Sequence, residues 1–174
     1  MKPIQIGDTA PEFTLEAQDG RLISLAEFRG RQVVVLFFYP KDETPVCTKE
    51  ACGFRDAYQQ FLDRGAAVLG ISSDSRDSHR VFAAGHDLPY PLLSDREAAV
   101  RKAYGVPRTL GIMPGRVTYV IDLQGVVRHI CNSMMFAERH VEEALEVVQS
   151  LQRESWGRNL DKGHGQRTDR RPPT

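Results

Sequence analysis

Val33-Val34-Val35-Leu36-Phe37-Phe38-Tyr39 runs directly into Pro40-Lys41-Asp42-Glu43-Thr44-Pro45-Val46-Cys47-Thr48-Lys49-Glu50-Ala51-Cys52. The first part is β-branched and aromatic without polar alternation, the pattern of a central strand buried on both faces. Proline ends it, and a second proline five residues later opens a stretch with helical spacing. Working outward, Ala66–Ser72, Val117–Ile121 and residues 126–130 read as further short strands. Asp122-Leu123-Gln124-Gly125 joins the last two as a hairpin turn. Residues 13–15 and Leu22–Ser24 flank Asp19-Gly20, a second hairpin signal near the start.

Helical patterns fill the gaps. Residues 45–64 carry Phe54, Tyr58, Phe61 and Leu62 on one face, and 76–84 and 96–104 are shorter. Residues 138–151 place Val141, Leu145, Val148 and Leu151 together. Hairpin, then βαβα, then hairpin and helix implies an α/β fold with a mixed central sheet.

Composition bounds the function. The chain has 174 residues, 23 Lys+Arg against 23 Asp+Glu, 41% apolar and 26% charged residues. That is one ordinary globular domain with no electrostatic reason to bind nucleic acid or anionic lipid. No stretch is long and apolar enough to span a bilayer, and the N-terminus lacks a signal-peptide pattern. The expected location is the cytoplasm, where thiols are kept reduced. Residues 153–174 hold six Lys/Arg against three Asp/Glu, with Trp156 and Leu160 the only large apolar side chains. They are expected to form a basic, disordered tail after a domain of residues 1–152.

The chemistry concentrates after the buried strand, at its carboxyl end, where α/β sheets build their sites. Thr44 suits an N-cap and Pro45 the first helical position. Cys47 then stands in the first helical turn, beside free backbone N–H groups and the positive end of the helix dipole. Both favour a nucleophilic thiolate. The competing reading is a buried structural thiol. Cys52 lies five residues on, about 8–9 Å away between Cα atoms on an ideal helix. A disulfide needs less than roughly 7 Å, so the pair can bond only if the helix start unwinds. Cys52 could instead be a core-facing filler. Cys131 ends an apolar run and reads either as a packed thiol or as a partner for Cys47 or another subunit. The spacing of Cys47 and Cys52 does not suit zinc, and the histidines at 79, 86, 129, 140 and 164 are scattered, so no metal is expected. Neither a haem signature nor a Gly-rich nucleotide loop is present, so no cofactor is expected.

Residues 38–56 resemble the active-site signature of the peroxiredoxins, most closely the Q type, also called bacterioferritin comigratory proteins. Pro40, Thr44 and Cys47 match Pro-x-x-x-Thr-x-x-Cys in full. Gly7-Asp8-Thr9-Ala10-Pro11-Glu12-Phe13 resembles the family's opening, and Gly115-Arg116-Val117-Thr118-Tyr119-Val120-Ile121-Asp122 its late strand. Val46 departs from the glycine usual there, and Met113-Pro114-Gly115 is a less usual lead into Arg116.

The resemblance implies a thioredoxin-like fold with an N-terminal hairpin extension. It implies a peroxidase for hydrogen peroxide and organic hydroperoxides, acting in antioxidant defence and recycled by thioredoxin. In that scheme Cys47 is the peroxidatic and Cys52 the resolving cysteine. Thr44 orients peroxide and thiolate, Arg116 stabilises charge, Pro40 shields the pocket, and Glu50 hydrogen-bonds within the site. The enzyme is expected to be a monomer or at most a weak dimer. A thiol–disulfide oxidoreductase and a non-catalytic redox sensor are the alternatives on the same fold.

Overall fold

The computed structural model describes residues 2–163. In chain order the elements begin with β1 (Thr14–Ala17), β2 (Leu22–Ser24), a 3₁₀ turn (Leu25–Phe28) and β3 (Val33–Phe38). Then come α1 (Pro45–Asp56), α2 (Tyr58–Asp63), β4 (Ala66–Ser72), α3 (Arg76–Gly85), β5 (Leu92–Ser94) and α4 (Ala99–Ala103). The chain continues through β6 (Arg108–Thr109), β7 (Met113–Pro114), β8 (Val117–Ile121), β9 (Val127–Asn132) and α5 (Ala137–Gly163).

Seven strands form one mixed sheet in the order β2-β1-β5-β4-β3-β8-β9. β3 pairs parallel with β4 and antiparallel with β8, so it lies inside the sheet, and every residue of it is buried. Its alternation sets the two layers. Val33, Val35, Phe37 and Tyr39 face Phe54, Phe61, Phe82, Ala144 and Val148, under α1, α2, α3 and α5. Val34, Leu36 and Phe38 face Phe13, Val100, Tyr104 and Ile121 on the other side. Gly70 of β4 leaves room where a Cβ would meet Leu92 and Phe37 at 2.8 Å.

Several elements differ from expectation. The helix foreseen over 45–64 is two helices, broken at Ala57, whose φ of −91° and ψ of 0° depart from regular α-helix values. α4 starts only at Ala99, because Ala98 is left-handed (φ 56°). β5, β6 and β7 are too short to leave a periodic signature. The basic tail expected from residue 153 is helical through Gly163; residues 164–174 lie outside those described. Burial is not what carries α5 onward, since Trp156 and Leu160 are 70% and 65% exposed. Once Ala144, Val148 and Leu151 have docked the helix, each further residue adds a backbone hydrogen bond without a new nucleation cost. Glu154 also accepts from Arg128 of β9.

Phe54 ties α1 to the sheet. It is fully buried and stacks on Phe37 with ring centroids 4.6 Å apart. Phe54→Ala should destabilise the fold by about 3–5 kcal/mol. Urea unfolding followed by circular dichroism measures this; a change under about 1 kcal/mol would show that α1 does not depend on this contact.

Candidate active site

Pairing of β3 with β8 runs from Val34↔Ile121 to Phe38↔Val117. It therefore delivers the residue before Val117, Arg116, to the end of β3 where the 40–44 loop begins. Arg116 is 2% exposed, and each of its three guanidinium nitrogens donates a hydrogen bond. Nη2 donates to Cys47 Sγ at 3.2 Å, Nη1 to Glu50 Oε2, and Nε to the Met134 carbonyl at 3.1 Å. Cys47 and Glu50 are themselves buried, one helical turn apart in α1. A thiol and a carboxylate from one helix thus share a cation from a distant strand.

Thr44 is the residue that enters α1, with extended backbone (φ −82°, ψ 149°), and Pro45 follows at the first helical position. Its side chain does not cap the helix. Thr44 Oγ1 donates to the Lys41 carbonyl at 2.8 Å instead, so the first-turn N–H groups beside Cys47 are left uncapped by it. Pro40 and Thr44 are both half-buried around this turn. Glu43, between them, holds a positive φ of 61°, an uncommon conformation for a residue with a Cβ.

The strained turn is held from below by a buried network. Asp42 accepts from Tyr39 Oη at 2.6 Å and Ser78 Oγ at 2.8 Å, and lies 2.8 Å from His79 Nδ1. The Asp42 backbone N–H donates to Asp74 Oδ2, which also accepts from Ser72 Oγ. Asp42, Asp74 and His79 bring one ligand-type atom each within 4.8 Å of one another, a grouping that could hold a metal ion. Those atoms are knitted to one another and to Tyr39, Ser72 and Ser78 by hydrogen bonds.

Glu50 is the group whose ionisation the site alters most clearly. Burial pushes it up to about 7, against the opposing pull of Arg116. Its Oε1 has no hydrogen-bond partner and lies 3.9 Å from His140 Nδ1. His140 is buried, and burial lowers its pKa. Its Nε2 faces the Ser133 carbonyl and its Nδ1 faces Thr118 Oγ1, both at 2.8 Å. The assignment that satisfies both is a neutral ring with hydrogen on Nε2.

Cys52 is partly exposed, in a groove between α1 and α5 lined by Lys49, Gly53, Ala137, Glu138 and Val141. Both it and Cys47 are free thiols in one unbroken helix. Cys131 is buried on β9, its thiol pushed up to about 12 by burial and by the neighbouring Glu143 carboxylate. The structure thus brings Cys47, Glu50 and Arg116 into contact, places Pro40 and Thr44 on the adjoining turn, and sets Cys52 and Cys131 apart. His140, Arg101 and the Asp42–His79 pair were missed by sequence reasoning. Only tertiary contacts single them out.

The chain resembles known proteins in sequence and in fold. Residues 6–130 match the AhpC/TSA family. The chain is 53% identical over 146 residues to a protein named peroxiredoxin Q, chloroplastic, from Sedum lineare, covering 83% of this chain and 78% of that one. The crystal structure of peroxidoxin BcpB from Mycobacterium tuberculosis superposes with a TM-score of 0.79 at 36% identity, over 85% of this chain and 98% of that one. The bacterioferritin comigratory protein of Xanthomonas campestris, described with an alkyl peroxide reduction activity, gives 0.74 at 28% identity, over 80% and 92%.

The pH dependence of stability follows from Glu50. Its folded pKa, about 7, is above the ordinary 4.5, so the folded state binds more protons between those values. This contribution is fully present below pH 4.5 and is lost as pH rises through about 7. Glu50→Gln should flatten the fall in unfolding free energy between pH 5 and 7, read from urea titrations at each pH. Equal slopes in the two proteins would exclude Glu50 as the titrating group.

Proposed function

The chain belongs to the AhpC/TSA family as a peroxiredoxin of the Q type and is a thiol peroxidase, and on that premise we propose that Cys47 is the peroxidatic and Cys52 the resolving cysteine. The observation that carries this reading is the Arg116 guanidinium donating to a buried Cys47 sulfur at 3.2 Å. The Cys47 thiolate attacks one oxygen of the peroxide and the O–O bond breaks. The sulfur becomes a sulfenic acid, and the other oxygen leaves with its substituent and takes up a proton as alcohol or water. Arg116, already aimed at the sulfur, stabilises charge that develops on the leaving oxygen. Thr44 orients the peroxide and Pro40 limits water at the same turn. The Cys52 thiol then condenses with the sulfenic acid, releasing water and forming the Cys47–Cys52 disulfide. A dithiol protein of thioredoxin type reduces it.

Exposed Leu110, Ile112 and Met113 precede Arg116 in the chain, and exposed Met135 and Phe136 follow its partner Met134. Apolar side chains flanking both anchors of Arg116 support alkyl hydroperoxides as substrates beside hydrogen peroxide. We further infer a monomer or weak dimer, its catalytic unit spanning residues 1–152, in the cytoplasm. Among the described residues no helix is long and apolar enough to cross a membrane.

Stoichiometric hydrogen peroxide added to the reduced protein should consume two thiols, and mass spectrometry should place one disulfide at 47–52. Cys47→Ser should abolish the reaction. Cys52→Ser should still form the sulfenic acid but not the disulfide. Arg116→Met should slow the first step by roughly 10²–10³-fold. A wild-type rate no faster than that of a free thiol would overturn the reading in favour of a redox sensor. A disulfide lost in Cys131→Ser but kept in Cys52→Ser would reassign the resolving thiol.

The same disulfide requires α1 to open. Oxidation should lower the helical signal in circular dichroism and speed hydrogen exchange across residues 45–55. An unchanged spectrum and exchange pattern with the disulfide confirmed would exclude unwinding.

A further inference from the structure

Arg101 of α4 is 6% exposed, yet no carboxylate pairs with its guanidinium among the described residues. Its two terminal nitrogens instead donate to two backbone carbonyls. Nη1 reaches Gly115 O and Nη2 reaches Tyr39 O, both at 2.8 Å. Gly115 immediately precedes Arg116, and Tyr39 immediately precedes Pro40. One side chain therefore bridges the two segments that carry the site.

The need for such a bridge follows from the sheet. Extending the β3–β8 register beyond Phe38↔Val117 sets Pro40 opposite Gly115. Proline has no N–H to donate, so the ladder cannot continue there. The Arg101 fork bonds the strand ends where the ladder stops. From the other side, Gly115 lies against Pro107, where an added Cβ would stand 2.3 Å from the Pro107 carbonyl oxygen. The guanidinium also lies 5.6 Å from the centre of the Phe38 ring, and the backbone N–H of Arg101 is held by buried Asp95.

The charge matters as well as the fork. Arg116, which touches the sulfur, is paired with Glu50. Asp95, the carboxylate nearest in effect to Arg101, accepts only from backbone at Val100 and Arg101. Burying a cation without a paired anion is costly, so a position that keeps one calls for a reason beyond stability.

We propose that Arg101 is a positioning residue for the reaction at Cys47: it fixes the span between the 40–47 loop and Arg116, and its unpaired positive charge favours the Cys47 thiolate. This rests on the reading of Cys47 as the peroxidatic thiol.

The test separates fork from charge, and both from peroxidase activity. In a Cys52→Ser/Cys131→Ser background, Cys47 is the only thiol, and its alkylation by iodoacetamide is followed across pH. The charged or titratable groups facing it are Arg116, Glu50, Arg101 and, behind Glu50, His140. Arg101→Gln should shift the alkylation midpoint upward, with about a tenfold slower reaction on the acidic side. It should also slow sulfenic acid formation by roughly 10²-fold, the cost of misplacing reacting groups. Arg101→Lys keeps charge without the fork. It should restore the alkylation midpoint but not the peroxide rate. Should Arg101→Gln fail to fold by circular dichroism, the Lys variant decides, since a wild-type peroxide rate in it excludes a positioning role. Unchanged alkylation and peroxide rates in folded Arg101→Gln overturn the proposal. If the wild-type protein proves inert to peroxide, the peroxidatic reading fails while the alkylation profiles still report on Arg101.

Discussion

The guanidinium of Arg116, buried between a thiol and a carboxylate, is the constraint to which the rest of the site conforms. A buried cation must have every donor satisfied and its charge answered, or it destabilises the fold by several kcal/mol. Glu50 answers the charge and the Met134 carbonyl takes one further donor. A third hydrogen bond points at Cys47. Glu50 and Cys47 lie 66 and 69 residues from Arg116 and come within reach through the antiparallel pairing of β3 with β8, whereas the pairing of β8 with β9 brings up Met134. Glu50 in turn cannot ionise freely, because burial holds it up to about 7 while Arg116 pulls it down. The neutral His140 beside it adds no second positive charge. The pair is thus finely balanced near neutral pH.

How much of this the sequence shows depends on the range of the interactions. β3 is legible because burial on both faces leaves a continuous apolar run from Val33. β4 and β8 are legible for the same reason, and their bounds agree residue for residue with the expected ones. Pro40, Thr44, Cys47 and Cys52 stand in one local motif whose spacing can be read without a partner. The Arg101 bridge cannot be read this way, since its acceptors lie 62 and 14 residues away and an arginine in a short helix looks like any solvated one. His140 and the Asp42–His79 pair are hidden for the same reason. The helical stretch 153–163 departs from the expected disordered tail, because low apolar content alone does not prevent a helix. A helix already docked upstream needs no further burial to continue.

Thr44 shows how local rules can be right in outline and wrong in mechanism. Its position and backbone are those of an N-cap, but its hydroxyl is turned away to the Lys41 carbonyl. Turning away leaves the first turn of α1 without a side-chain cap. The left-handed Glu43 beside it and the Asp42 network beneath it hold a turn that would otherwise relax. Strain and an unmade cap cost stability, and both occur in the segment that carries the chemistry, although Asp87, Ala98 and Leu110 elsewhere also hold a positive φ.

The proposed disulfide makes a second demand on the same segment. α1 must hold Cys47 against Arg116 in one state and open in the next. Two of its features suit a helix of limited stability. Gly53 lies within it, at a cost of about 1 kcal/mol relative to alanine. The glycine also lets α5 come close, since a Cβ there would stand 3.1 Å from Val141. Finally, the helix ends at Ala57. Beyond that break α2 is anchored separately by the fully buried Phe61. Phe54 remains as the hinge-side anchor, packed against both Phe37 and Phe61. Unwinding on the N-terminal side of Phe54 can then free Cys47 and Cys52 while leaving the helical layer over β3 in place. Cys131 is kept out of this exchange by position and by chemistry. It lies on β9, and its thiol is held protonated by burial and by Glu143.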